Sequence, residues 1–429
     1  MKKICIIGGG IMGMTTALKL SSNKNVSVTL IEKEHELGGM ARSFRLNSGA
    51  YADCFYHYFC QSDNRLYKLI DELGLTGQLS FTRLKTGLLS VVGTIPLIQP
   101  MDSCLNLLTL KHIPLFDRLR FMLHVFYITR LSSDHVDDLV TAESHYQKWE
   151  GERAYHFFWK YLLDKKFHKY AAEISCAWLN NRIMRALTNK TFMGNSYYGR
   201  LNGGIHTLIS KLEKRLIDQG VEIIKGNPVS AISFLEKSFT VTVNNFSATF
   251  DKVVTTIPLP YLRNIIPDIR VQTAKQYRIN NIGCVCLCFV LNKPLTEYFW
   301  LNTDVNAWAI PGIVDFSHFK NTDSNLVYMP LYLPHDHGLW QKSDSELIAM
   351  GWEYIAKISD CVITESYAHR YEYAQPIFTT KTFSKIKSVR SPVPGLYCAD
   401  TTFSYPNDRC LDESIKIAER ICTELEGEI

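Results

Sequence analysis

The first 32 residues change hydrophobic period twice. KKICIIG is a short apolar run stopped by glycine, the pattern of a buried strand. IMGMTTALKLSS repeats its apolar positions every three or four residues and predicts a helix. VSVTLIE is again strand-like and ends on an acid. Strand, turn, helix and strand in this order make a βαβ unit. Further on, Gly203-Gly204 opens a second amphipathic helix, followed by a strand through Val221–Ile224 and a turn at Gly226-Asn227-Pro228. DKVVTTIPLPYL reads as another strand. Residues 76–194 are expected to be mostly helical, and 259–389 to hold strands such as CVCLCFVLN and NLVYMPLYL before the helix SDSELIAMGWEYIAKI. The fold class this pattern predicts is α/β.

The first turn carries chemistry. Gly8-x-Gly10-x-x-Gly13 sits between the first strand and its helix. Gly8 permits the tight turn, Gly10 lets backbone approach a pyrophosphate, and Gly13 lets helix pack on strand. The helix N-terminus adds free N–H groups and a positive dipole. Glu32 ends the second strand, where an acid accepts hydrogen bonds from ribose hydroxyls and repels a 2′-phosphate. The same opening letters, two lysines before an apolar run, could serve as a secretory leader. The run passes into another strand rather than a small-residue cleavage site, so a dinucleotide site is the reading.

Composition narrows the picture. A chain of 429 residues exceeds one core and predicts about two domains. A net charge of +5 without a dense Lys/Arg stripe gives no reason to expect nucleic acid as a partner. No apolar run approaches the roughly 20 residues of a membrane span. Twelve cysteines form no CxxC pair or finger spacing, so no metal is expected and scattered thiols suggest the cytoplasm. Cys284, Cys286 and Cys288 alternate along one strand and read as small packed hydrophobes.

After Glu32 comes KEHELGGMARSF. This resembles the "E…xLGGxxxS" motif of flavoproteins of the amine oxidase and protoporphyrinogen oxidase superfamily. Gly38, Gly39 and Arg42 occupy its positions, and a guanidinium suits a phosphate. GGIHTLISKLEKRLIDQGVEIIKGNPVSAI is similar to the family's "GGxxxLxxxLxxxLxxxGxxIxxxxxVxxI", and GLYCADTTFSYPNDRCLDESIKIAERI to its closing "GLYxAGDxxx" segment. The resemblance implies FAD as cofactor, with the Val229 backbone at the adenine and Asp400 at the ribityl and pyrophosphate region. It implies a last helix aimed at the flavin N1/C2=O edge. Ala399 stands where the family has glycine. The fold it implies is a Rossmann-type FAD-binding domain, glutathione-reductase-like, with an interleaved α+β substrate domain. The FAD domain takes residues 1–75, 195–258 and 390–429, and the substrate domain 76–194 and 259–389.

Other stretches, from YADCFYHYFC to the closing YPNDR, resemble a bacterial branch often found among polysaccharide-synthesis genes. Asp53-x-x-x-His57 falls at the family's "DxGxH", with Phe55 in place of the glycine. His57 is a candidate catalytic residue, because imidazole orients substrate or moves a proton near neutrality. Arg409 is the second, a cation for anionic reduced flavin or an acidic substrate. The alternative for each is a structural role. Tyr197, Tyr198 and Trp308 are candidates for a pocket wall or for plain core. His335-x-His337 has ligand spacing but no third ligand nearby. The stretch LLTLKHIPLFDRLRFMLHVFYITRL, with Lys111, Arg118, Arg120 and Arg130, suits a membrane surface or a lid. The expected activity is hydride removal from a small-molecule substrate by an FAD-dependent oxidoreductase, in polysaccharide or nucleotide-sugar metabolism. The alternatives are a non-redox flavoenzyme resembling UDP-galactopyranose mutase and a protein that merely retains FAD.

Overall fold

The computed structural model describes the chain except residues 93–94, 103–105, 107–109, 111–112, 131–137, 190–195, 245, 305–306, 321, 323, 387 and 429. Lys111 of the basic amphipathic stretch therefore lies outside the described residues.

The opening βαβ unit forms as its periodicity predicts. Strands Lys2–Ile7 and Val26–Ile31 flank helix Ile11–Leu20 and pair in parallel, Ile7 beside Ile31. Their sheet has five parallel strands in the order Leu396–Cys398, Lys252–Thr255, Lys2–Ile7, Val26–Ile31 and Glu222–Ile224. Its central strands are almost wholly buried, as parallel strands covered by helices must be. Helices Ile205–Asp218 and Leu411–Glu426 pack against Ile11–Leu20 through their apolar faces. A three-stranded antiparallel sheet, Val229–Leu235, Ser238–Val243 and Phe246–Phe250, adjoins.

A second sheet has seven strands, led by Ile363–Pro376, Asn281–Leu291 and Asn325–Leu333. Helix Asp344–Ile358 covers one face, where Leu347 and Ile355 pack with Val285, Leu287 and Phe289. Cys284, Cys286 and Cys288 point the other way and belong to the core shared with the five-stranded sheet. The alternation seen in the sequence thus separates two cores.

A helical layer packs on itself and, through Tyr161–Phe167, against strand Asn325–Leu333: Leu115–Ile128, Ala142–Glu150, then Glu152–Tyr155 running through a π-helical turn at His156–Lys160 into Tyr161–Phe167, and Cys176–Thr188. Leu79–Leu84, Thr86–Val92 and Ile95–Pro100, within a stretch expected to be mostly helical, are strands instead. Leu79–Leu84 pairs with Ser196–Leu201, and Thr86–Val92 with Trp300–Thr303. Both partners are more than a hundred residues away, so cross-strand packing outweighs local preference. Among the described residues no helix is long and apolar enough to cross a membrane.

Candidate functional site

A cavity of about 1360 Å³ runs from the first glycine turn into the space between the two sheets. At its dinucleotide end the backbone does the shaping. Gly8 donates to the Ile31 carbonyl at 2.9 Å and holds φ at +109°, which a side chain resists. A Cβ on Gly13 would lie 1.9 Å from the Gly8 carbonyl oxygen, so helix and turn touch there. A Cβ on Gly10 would meet nothing closer than the Gly38 oxygen at 4.0 Å. That space opens into the cavity, beside the N-terminus of helix Ile11–Leu20, which no side chain caps. The Gly38-Gly39 loop closes over it, with Gly38 N–H donating to the Gly9 carbonyl at 2.8 Å and both glycines at positive φ.

Glu32 lines the cavity where its strand ends. Its two carboxylate oxygens accept from Gly9 N–H at 2.6 Å and Glu34 N–H at 3.0 Å, which fixes the acid against the turn. Val229 lines the same end, at the start of the three-stranded sheet. Arg42 also lines it, with Nη1 3.5 Å from Glu34 Oε2. Asp400 sits farther along, buried, accepting from Leu259 N–H at 3.0 Å and Thr402 N–H at 2.8 Å. Both carboxylate oxygens thus already cap backbone, and burial raises its pKa.

The other end is built from side chains. His57 and Arg409 both line it. Asp53, buried at the end of its short strand, accepts from Ile205 N–H and from the His57 backbone, which fixes the loop carrying the imidazole. His57 Nδ1 is buried and finds no partner among the described residues. Burial, with Arg409 nearby, pushes the His57 pKa down to about 4. The expectation that it titrates near neutrality is corrected: the ring is neutral there, and acts as a hydrogen-bonding group. Arg409 donates through Nε to Gln375 Oε1 at 3.1 Å and reaches the Tyr332 hydroxyl at 3.4 Å. The first turn of helix Leu411–Glu426 faces the same space through Leu411 and Ser414.

Three residues at this end were not among the sequence candidates. Asp408 Oδ2 accepts from Lys166 Nζ at 3.1 Å and from Arg182 Nη1 at 2.6 Å. Burial opposes the Asp408 charge, but Lys166, Arg182 and Arg409 outweigh it and hold its pKa well below the usual carboxylate range. Lys166 is only 3% exposed. Burial pushes its pKa down to about 7; Asp408 resists this, while Arg182 and Arg409 reinforce it. Lys166 and Arg182 gave no local sequence signal, since their meeting point is more than 220 residues away. Asp408 was visible as the neighbour of Arg409.

The remaining candidates divide. Tyr198 lines the cavity, whereas Trp308 stacks on Tyr354 in the second core, rings 4.4 Å apart. His335 Nε2 lies 2.8 Å from the Glu372 carbonyl oxygen, and His337 Nδ1 accepts from Leu339 N–H. No cluster of metal-ligating side chains occurs among the described residues.

An open space at Gly10, an uncapped helix N-terminus, an acid at the strand end and a buried imidazole nitrogen without a partner together fit a flavin dinucleotide. This is the class of a dinucleotide-binding flavoprotein. The sequence profile of the flavin containing amine oxidoreductases matches residues 11–422, and the chain belongs to that family, whose cofactor is FAD. No curated protein matches the chain in sequence. Solved structures share its fold over nearly their whole lengths. A protoporphyrinogen oxidase-like protein from Exiguobacterium sp. 255-15 has 17% identity and a TM-score of 0.78, covering 100% of this chain and 99% of the other. Cyclohexylamine oxidase from Brevibacterium oxydans IH-35A has 14% and 0.72, covering 99% of each. Reduced UDP-galactopyranose mutase has 15% and 0.75, covering 100% and 94%.

Proposed function

We propose that the protein is an FAD-dependent oxidoreductase that takes a hydride from an organic substrate held between its two sheets. One observation carries the reading: a single cavity joins the glycine turn to the His57–Arg409 chamber. FAD, when bound, supplies the hydride acceptor. The chain's part is to hold and to exclude. The backbone at Gly8 and Gly10, with Gly38 and Gly39, receives the pyrophosphate, Gly13 lets the helix close onto that turn, and Arg42 lies within reach. Glu32 takes the ribose hydroxyls, Val229 presents backbone to the adenine, and Asp400 holds the turn beside the flavin. Arg409 adds positive charge at the reactive end, and neutral His57 orients substrate. The residues supplying the five-stranded sheet form the cofactor domain and the rest the substrate domain, close to 1–75, 195–258 and 390–429 against 76–194 and 259–389. The test is anaerobic titration of the purified yellow protein with candidate substrates. Bleaching of the flavin supports hydride transfer. Turnover that requires prior reduction, with no net redox change, would replace this reading with a non-redox one.

Helix Leu115–Ile128 is proposed to rest on an anionic membrane surface. Its outer face exposes Phe116, Leu119, Leu123, Phe126 and Tyr127, an apolar patch that water does not favour, with Arg118, Arg120 and Arg130 at its margins. Its inner face, Phe121 and Val125, lines the cavity. Cosedimentation with phosphatidylglycerol vesicles, lost in a Phe116→Ser/Leu123→Ser/Phe126→Ser variant, supports this; equal binding by the variant overturns it.

A further inference from the structure

The charge balance beyond the flavin site is uneven. Lys166, Arg182 and Arg409 share Asp408, the carboxylate that acts most on each of them among the described residues. Their other neighbours are neutral: the hydroxyls and rings of Tyr56, Tyr58 and Tyr332, the amide of Gln375, and the rings of Trp178 and Phe167. Arg182 and Arg409, joined by Lys166 when it holds its proton, face one shared carboxylate inside a cavity, which leaves an excess of positive charge in a poorly screened place. The dinucleotide cradle does not need it, since that end binds through backbone. Arg409 alone answers any negative charge at the flavin edge. Lys166 and Arg182 remain.

The same cavity continues from these cations into a different environment. Phe121, Val125, Phe157, Phe158, Leu162 and Ile183 line it as well, with Asp102 and Asp304 at the same wall. The π-helical turn at His156–Lys160 widens the helix there and sets Phe157, Phe158 and Trp159 into the cavity wall. A phenylalanine-lined stretch of wall in the same cavity as a cationic seat matches a molecule with one acidic end and one hydrocarbon end.

We infer that the substrate is an anionic amphiphile, its phosphate or carboxylate seated on Lys166 and Arg182 and its apolar chain lying along Phe121, Phe157 and Phe158. This rests on the flavoenzyme reading and names the class of molecule the chamber takes. The anion supplies the charge that Asp408 alone does not, and it holds the reacting end of the molecule beside Arg409 and His57. An arginine forks onto phosphate or carboxylate oxygens, while a lysine contributes a point charge. An alkylamine would add a further positive charge among like charges and is rejected.

Lys166 gives the binding a signature. Facing it are Asp408, Arg182, Arg409 and the rings of Trp178, Phe167 and Tyr332. With its pKa near 7, it is largely uncharged at pH 8 until an anion arrives. Seating an anion then draws a proton onto Nζ.

The experiment compares decyl phosphate, decanoate, decanol and decylamine on the holoprotein, read by tryptophan fluorescence, with Trp159 and Trp300 in the cavity wall. Calorimetry at pH 8 in buffers of different ionisation enthalpy counts protons. Decyl phosphate or decanoate should bind about tenfold or more tighter than decanol, and decylamine weakest. Which acid binds tighter tells phosphate from carboxylate. Arg182→Gln should weaken the acids about tenfold and leave decanol unchanged, with Arg182→Lys intermediate. Lys166→Met should abolish proton uptake. Melting temperature and flavin content establish that each variant is folded and loaded. Preference for decylamine, or unchanged acid affinity in folded Arg182→Gln, overturns the inference. A colourless protein that still prefers the acids refutes the flavin reading and leaves this one standing.

Discussion

The two ends of the cavity are built by opposite means. The dinucleotide end is backbone: Gly8 N–H, the open Cα of Gly10, the Gly38-Gly39 loop, with Glu32 pinned by two amides. All of it comes from residues 8 to 42, apart from Val229 and Asp400. The substrate end is side chain: His57, Lys166, Arg182, Tyr332, Gln375, Asp408 and Arg409, each from a separate segment save the last two. A backbone site demands particular φ values and missing Cβ atoms, which constrains residue type at close spacing. A side-chain site demands only that the tips converge, and the fold arranges that over any sequence distance.

That contrast breaks first at the glycines. Gly13→Val should fail to fold, because its Cβ would sit 1.9 Å from a backbone oxygen that cannot retreat. Gly10→Val should fold with a melting temperature near wild type yet carry no flavin, because its side chain projects into free space that the cofactor needs. Flavin-to-protein ratio and thermal melting separate the two. A Gly10→Val protein with a full complement of flavin would end the backbone reading.

The matching substitution at the other end is Asp408→Ala. It strips the shared acceptor from Lys166 and Arg182 and leaves buried charge uncompensated, a loss of about 3–5 kcal/mol. Urea unfolding measures it. Adding Lys166→Met should recover part of the loss, since one of the stranded cations goes with it. Additive losses in the double variant would show that the cluster is not a unit.

The same division explains what the sequence revealed. The cofactor-end residues could be picked out because the glycines answer local steric demands: Gly8, Gly10, Gly38, Gly39 and Glu32 line one cavity end, and Gly13 lies where the helix touches the turn. The Gly8 and Gly13 contacts are the clearest cases. Strands Leu79–Leu84 and Thr86–Val92 were not legible, since their partners are distant. Lys166 reads as one more lysine in LLDKKF until helix Tyr161–Phe167 turns it inward beneath Tyr332. His57 was found as a residue and misjudged as a titrating group, because burial is a property of the fold.

Arg409 tests the border between the ends. Removing its charge with Arg409→Ala should lower the flavin reduction potential, while His57→Ala, losing only a neutral ring, should leave the potential nearly unchanged and slow turnover. Redox titration and stopped-flow bleaching distinguish them. Wild-type potential and rate in both variants would make both residues structural.

The smallest effect lies in the roof of the substrate end. Glu150 is fully buried, accepts from Trp159 Nε1 at 2.8 Å, and lies 2.8 Å from His124 Nδ1. Burial pushes its pKa up from 4.5 to about 8, against the Trp159 hydrogen bond and Arg120. Burial pushes His124 down from 6.5 to about 4. A raised acid favours folding while it stays protonated, so its contribution is complete below pH 4.5 and drains away as pH rises to 8. The depressed histidine acts oppositely: its contribution is complete above pH 6.5 and drains as pH falls to 4. Between 4.5 and 6.5 the two slopes cancel, so Glu150 shows alone from 6.5 to 8. Over that window the wild type should lose about 2 kcal/mol of unfolding free energy from this group. Glu150→Gln keeps an oxygen for Trp159 and cannot ionise, so its stability should stay flatter across the same range. Other titrations enter both proteins equally, and the difference in slope isolates this one carboxyl. Parallel urea-stability curves would mean that Glu150 is ionised in the fold, paired with a charged His124, and that the roof carries an ion pair rather than a neutral acid.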